Sequence, residues 1–145
     1  MAVTALWYGN AFKAAFNKEI DLDEATKIKI QLCTSSYTPD QDTHDYEDDI
    51  TNEVVGAGYT EGGAELASLA PTYTAGTNVF AFDAADVTWT SSTITARYAV
   101  VYYNSGTPST SPLICYIDFG EDVISTSGDF KIEFHSDGIC KVTVS

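Results

Sequence analysis

The chain has 145 residues and carries 7 Lys and Arg against 21 Asp and Glu, a formal net charge of −14 at pH 7. That length predicts one domain over residues 1–145 with a single core. The charge excludes a nucleic-acid binder, which needs clustered cations to displace counterions, and disfavours docking on an anionic membrane.

The 44% hydrophobic content lies in the globular range, so a folded chain is expected. No apolar run approaches the roughly 20 residues of a membrane span. The start, from Met1 to Trp7, lacks the basic region of a signal peptide. A soluble chain, not exported by the usual route, is therefore expected.

In chain order, Trp7, Tyr8, Ala11, Phe12, Ala15 and Phe16 recur at the spacing that gathers into one stripe at 100° per residue. This predicts an amphipathic helix over residues 1–18, ending near Asn17 or Lys18, with Thr4 as N-cap. An aromatic stripe on a terminal helix has two readings: it caps the open end of its own core, or it packs into a neighbouring subunit.

From Lys27 to Leu32 apolar and polar residues alternate strictly, predicting a half-buried strand with Ile28, Ile30 and Leu32 inward and Gln31 outward. Residues 35–53 then hold Asp40, Asp42, Asp45, Glu47, Asp48, Asp49 and Glu53 with few apolar partners, which predicts an acidic loop or arm with a turn of helix near Asp45 to Ile50. Leu66 to Tyr73 and Val79 to Phe82, around the Thr74 to Asn78 turn, read as a hairpin. Val87 to Trp89, Ile94 to Tyr103, Leu113 to Phe119, a strand through Phe130, Ile132 and Phe134, and Ile139 to Val144 complete the series. Short strands separated by turn signals predict a mainly β fold, a single antiparallel β-sandwich or jelly-roll-like domain with an N-terminal helix.

The chemical inventory points away from catalysis. Gly56, Gly58, Gly62 and Gly63 miss a dinucleotide fingerprint and fit bulges or tight turns better. Cys33, Cys115 and Cys140 form no closely spaced pair, so buried reduced thiols are expected, and with His44 and His135 they lack metal-ligand spacing. Asp40, Asp42 and Asp45 invite a calcium reading but depart from the EF-hand pattern, leaving a solvated loop or one that meets basic residues on a partner. Neither histidine sits in a nucleophile motif, and no cofactor, metal or enzymatic activity is expected. Arg97, the single arginine, reads either as a strand-end cation facing solvent or as half of an ion pair, including one across a subunit interface.

A set of motifs remains: Leu32-Cys-Thr-Ser-Ser-Tyr-Thr-Pro-Asp40, Asp42-Thr-His44, Asn52-Glu-Val54, Gly58-Tyr-Thr-Glu-Gly-Gly63, Asp86-Val-Thr-Trp89, Thr95-Ala-Arg-Tyr-Ala-Val-Val-Tyr102 and Ile117-Asp-Phe-Gly120, followed by a Gly-rich final hairpin. In this order they resemble a family of small virion structural proteins of tailed bacteriophages. The resemblance implies a capsid decoration (cement) protein on the capsid exterior, made in the host cytoplasm, with the major capsid protein as partner and a homo-oligomer, a trimer favoured. Interface candidates on that reading are Trp7, Tyr8, Phe12, Phe16, Asp40, Asp42, Asp45, Asp48, Asp49 and Arg97. A different class, a tail-tip or fibre module binding a host-surface ligand, rests on Tyr102, Tyr103 and the polar Asn104 to Pro112 loop. A glycan hydrolase is the third.

Overall fold

A computed structural model describes residues 2–145. It is mainly β, two antiparallel sheets with one short helix, as the alternating patterns predict. Strands β1 (Thr4–Trp7), β2 (Ile28–Cys33), β3 (Ala64–Glu65), β6 (Val87–Tyr103) and β7 (Leu113–Ile132) form the larger sheet in the order β1-β7-β6-β2-β3. Strands β4 (Ala70–Thr74), β5 (Val79–Asp83) and β8 (Cys140–Thr143) form the smaller one in the order β4-β5-β8. Between the sheets lie Ile28, Ile30, Leu32, Phe82, Trp89, Ile117 and Phe130, all nearly inaccessible.

The long helix is not formed. Residues 4–7 are strand β1, zipped antiparallel onto β7 with Thr4 opposite Asp118 and Trp7 opposite Cys115, and α1 occupies only Gly9–Phe16. Pairing with β7 satisfies backbone groups that a first helical turn would leave open, so tertiary context overrides the 3.6-residue pattern. Thr4 is therefore no cap: Tyr8, extended at ψ 136°, takes the N-cap position without a side-chain cap bond. The end is as expected, with Lys18 turning left-handed at φ 65° and the Glu19 N–H closing on the Ala14 carbonyl.

The Lys27 to Leu32 pattern also needs correction on one face. Ile28, Ile30 and Leu32 point inward, but Gln31 is buried as well, at 4% exposure, because this part of β2 is covered on both faces. The pairs of short strands expected on either side of Ser91 and Gly120 are two long, bent ones. β6 and β7 run past each other with register shifts between Trp89 and Ile94 and between Ala96 and Tyr98; these bulges let one strand serve both halves of the domain. The hairpin around Thr74 to Asn78 is present but starts at Ala70. The last strand makes no hairpin with β7. After the turn closed by the Gly138 N–H on the His135 carbonyl, β8 crosses to the small sheet and pairs with β5.

Candidate interaction surface

Strand β1 and α1 deliver the N-terminal aromatics to different places, so the expected stripe is divided. Tyr8 is fully buried and Trp7 half-buried, while Phe12 and Phe16 are 37% and 88% exposed. The helix buries Ala11 and Ala14 instead. The Trp7 ring lies 5.4 Å from that of Phe12 and 6.2 Å from that of Phe80, and its Nε1 donates to the Lys141 carbonyl at 2.9 Å. It thus caps the open end of the sandwich, tying β1 to β8. Phe16 has no such duty and stands in solvent.

The acidic segment is a loop, with the expected turn of 3-10 helix at Glu47–Asp49, but it is docked along its length and is not a projecting arm. The Tyr37 hydroxyl bonds Tyr8 at 2.8 Å and His44 Nδ1 at 3.1 Å. Tyr46 bridges to Pro112, and the Leu113 N–H donates to the Asp45 carbonyl at 2.9 Å. Sequence reading missed this because Tyr37, Tyr46 and Ile50 are the only large apolar groups in an acidic stretch. Each nevertheless anchors it, and Tyr37 is 1% exposed.

Its carboxylates divide accordingly. Asp40 Oδ1 accepts from the N–H groups of Asp42 and Thr43, both at 3.0 Å, and bonding from Thr43 foremost holds its pKa below the ordinary value. Asp49 Oδ2 accepts from the Asp45 N–H at 2.8 Å. Burial first, then the neighbouring Asp49, pushes Asp45 upward. Asp42 and Asp48 face solvent and are the ones free to meet a partner. Among the described residues no three His, Cys, Asp or Glu side chains gather as a metal site.

Arg97 is paired within the chain. Its Nε lies 2.7 Å from Asp118 Oδ1 and its Nη2 3.4 Å from Oδ2, across the β6–β7 ladder where the register shifts. Asp118 also accepts the Gly120 N–H at 2.8 Å, at a glycine with φ 82°. The pair therefore fixes the bend of β7, and hydrogen bonding from Arg97 draws the Asp118 pKa down.

A half-buried carboxylate, Glu53, was not singled out by sequence. Glu53 Oε1 accepts from the Tyr59 hydroxyl at 2.7 Å and the Gly62 N–H at 2.6 Å, while the Tyr59 oxygen accepts the Leu32 N–H at 2.9 Å. Burial raises the pKa of Glu53 and, nearby, of Glu47. The glycines around it make tight turns as expected; at Gly63, φ is +78° and a Cβ would lie 1.8 Å from the Ile30 carbonyl oxygen. Tyr102 belongs to this buried group: it is 1% exposed and donates to the Gly62 carbonyl at 2.6 Å. Its ring is thus closed to a carbohydrate, and Tyr103 is engaged by Glu24. The three cysteines are free and buried, and burial pushes Cys33 up to about 12, which leaves it an unreactive thiol.

The exposed large apolar groups of the domain include Phe16, Val55 and Ile124, at 88%, 98% and 65% exposure. No family model, curated protein or solved structure matches the chain.

Proposed function

We propose that this chain is a non-enzymatic structural protein of a tailed-bacteriophage virion, and specifically a decoration protein that binds and stabilises the outside of the shell built by the major capsid protein. The observation that carries the reading is the order of motifs from Leu32 to Gly120. Those motifs supply fold-bearing groups: Tyr37, Glu53, Tyr59, Gly63 and Asp118 hold the loops and the bend of β7 in place. A net charge of −14 supports an exterior location, since inside a capsid it would face packed DNA phosphate. Cementing requires no catalytic group, only a rigid domain with contact residues at its surface, here Phe16, Asp42 and Asp48. A cyclic homo-oligomer, a trimer by preference, would match a shell symmetry axis. The protein would be made in the host cytoplasm and function on the capsid exterior.

Quantitative mass spectrometry of purified particles tests this. Symmetry-related sites on a closed shell predict on the order of hundreds of copies per particle, and a handful of copies, or recovery with tails and not heads, overturns the reading.

A further inference from the structure

Strand β1 covers the outer edge of β7 only from Cys115 to Asp118. Beyond the bulge, from Val123 to Ile132, β7 is paired with β6 on one side, with a further register shift between Ser125 and Gly128 where Ser127 turns left-handed at φ 47°. No strand or backbone group among the described residues meets its other edge. A free edge of this length is a template for another chain unless something guards it. Beside it runs a groove of about 470 Å³ whose lining includes Val3, Ala5, Phe119, Phe130, Ile132 and Phe134. Val123, at the edge itself, is 39% exposed.

The polar groups of the groove do not converge on a small ligand. Its lysine, Lys131, is held by Asp86 at 3.4 Å and Glu133 at 2.8 Å. At and just before the free edge the exposed charges are Glu121, Asp122, Asp129, whose Oδ1 accepts the Ser91 N–H at 3.3 Å, and Lys131, whose charge is met by Asp86 and Glu133, so the edge is net acidic outside and apolar within. Like charges oppose pairing with the same edge of a second copy, and the same carboxylates attract a cationic strand.

We propose that the Val123–Ile132 edge of β7 is a strand-addition site for an extended basic segment of a partner protein. Main-chain hydrogen bonds to the open edge supply the pairing, alternate apolar side chains enter the groove, and lysines or arginines between them meet Glu121, Asp122 and Asp129. The occupant is defined by its chemistry, so this inference stands whether or not the virion reading does.

The test uses the full chain, isotope-labelled, and a capped synthetic peptide, Lys-Val-Lys-Val-Thr-Val-Lys-Val-Lys, with a counterpart in which glutamate replaces every lysine. Amide hydrogen exchange by NMR is the readout. The expected result is saturable binding by the lysine peptide that slows exchange of outward amides within Val123–Ile132 at least about tenfold and weakens with salt. The paired exposed substitutions Glu121→Lys and Asp122→Lys should weaken binding about tenfold or more while the melting temperature is kept. Absence of binding at about millimolar peptide, equal binding of the glutamate peptide, or protection elsewhere on the domain overturns the proposal. So does protection of these same amides in the free chain that grows with protein concentration, which would make the occupant a second copy.

Discussion

The hydroxyl groups of Tyr8 and Tyr37 meet 2.8 Å apart in the interior, and this contact holds the acidic segment against the start of α1. The two oxygens are not equivalent. Tyr37 has a second partner in His44 Nδ1 at 3.1 Å, whereas Tyr37 is the side-chain partner on which the buried Tyr8 hydroxyl depends.

Removing either hydroxyl should therefore have unequal effects. Tyr37→Phe strands a buried hydroxyl on Tyr8 and should cost about 1–3 kcal/mol, while Tyr8→Phe leaves Tyr37 bonded to His44 and should cost about 0.5–1.5 kcal/mol. Urea unfolding of both single variants and the double variant checks this, and equal losses would show that the hydrogen bond does not set the order.

Glycine positions divide in the same way by geometry. At Gly63 a Cβ would collide with the Ile30 backbone, and the left-handed backbone is unfavourable for any other residue. Gly63→Ala should cost at least about 3 kcal/mol, among the largest single effects in the chain. Gly76→Ala meets open space and should be neutral or stabilising by up to about 1 kcal/mol, through the unfolded chain. Thermal melts of the two variants give the comparison.

How far these features were legible in sequence depends on whether the signal was local. The period-2 pattern of Ile28, Ile30 and Leu32 and the turn chemistry of Thr74 to Asn78 act within a few residues, and the strands and turn they announce are present. Trp7 fits a helical stripe equally well, and only pairing with β7, more than a hundred residues away, decides for a strand. Composition leaves the acidic segment open between a loop and an arm because its sparse apolar residues carry little weight, although Tyr37, Tyr46 and Ile50 dock it as a loop. Arg97 was ambiguous for a related reason: its partner Asp118 lies on another strand. Of the candidate interface residues, Phe16, Asp42 and Asp48 are open to a partner, while Tyr8 and Arg97 are occupied within the fold.

Asp118 does more than Arg97. The ion pair is part-exposed, at 26% and 29% for the two side chains, so solvent screening leaves it about 0–1 kcal/mol. Asp118 additionally caps the Gly120 N–H at the bend, so Asp118→Ala should destabilise more than Arg97→Ala by about 0.5–1.5 kcal/mol. Its pKa is lowered in the fold; its contribution is therefore present above the unfolded-state pKa and lost as pH falls through the folded one. Acid unfolding of Asp118→Ala should accordingly show a shallower loss of stability.

Glu53 and Glu47 work in the opposite sense. Burial raises both pKa values above those of the unfolded chain, so the fold prefers their protonated forms. Their contribution is complete below the unfolded pKa and is lost as pH rises through the folded pKa. Glu53→Gln keeps an oxygen that can accept from Tyr59 and Gly62 and removes the charge. As pH rises from the unfolded-state carboxylate value through the higher folded-state one, its urea midpoint should fall less than that of the parent chain. A parallel decline in the two proteins would show that Glu53 does not titrate in this window.

The N-terminus separates folding from contact. Deletion of residues 2–17 removes the edge strand β1, the Trp7 bond to Lys141 and the buried Tyr8; together these exceed what a marginally stable domain can lose, so circular dichroism should report an unfolded chain. Phe16→Ser removes only a ring that is 88% exposed and should change stability by no more than about 0.5 kcal/mol. If Phe16 is a contact residue of a decoration protein, the same substitution should reduce retention on particles stripped of the parent chain and reloaded. A folded truncation would show that β1 is dispensable, and full retention of Phe16→Ser would remove that ring from the interface and leave Asp42 and Asp48 as the groups to test.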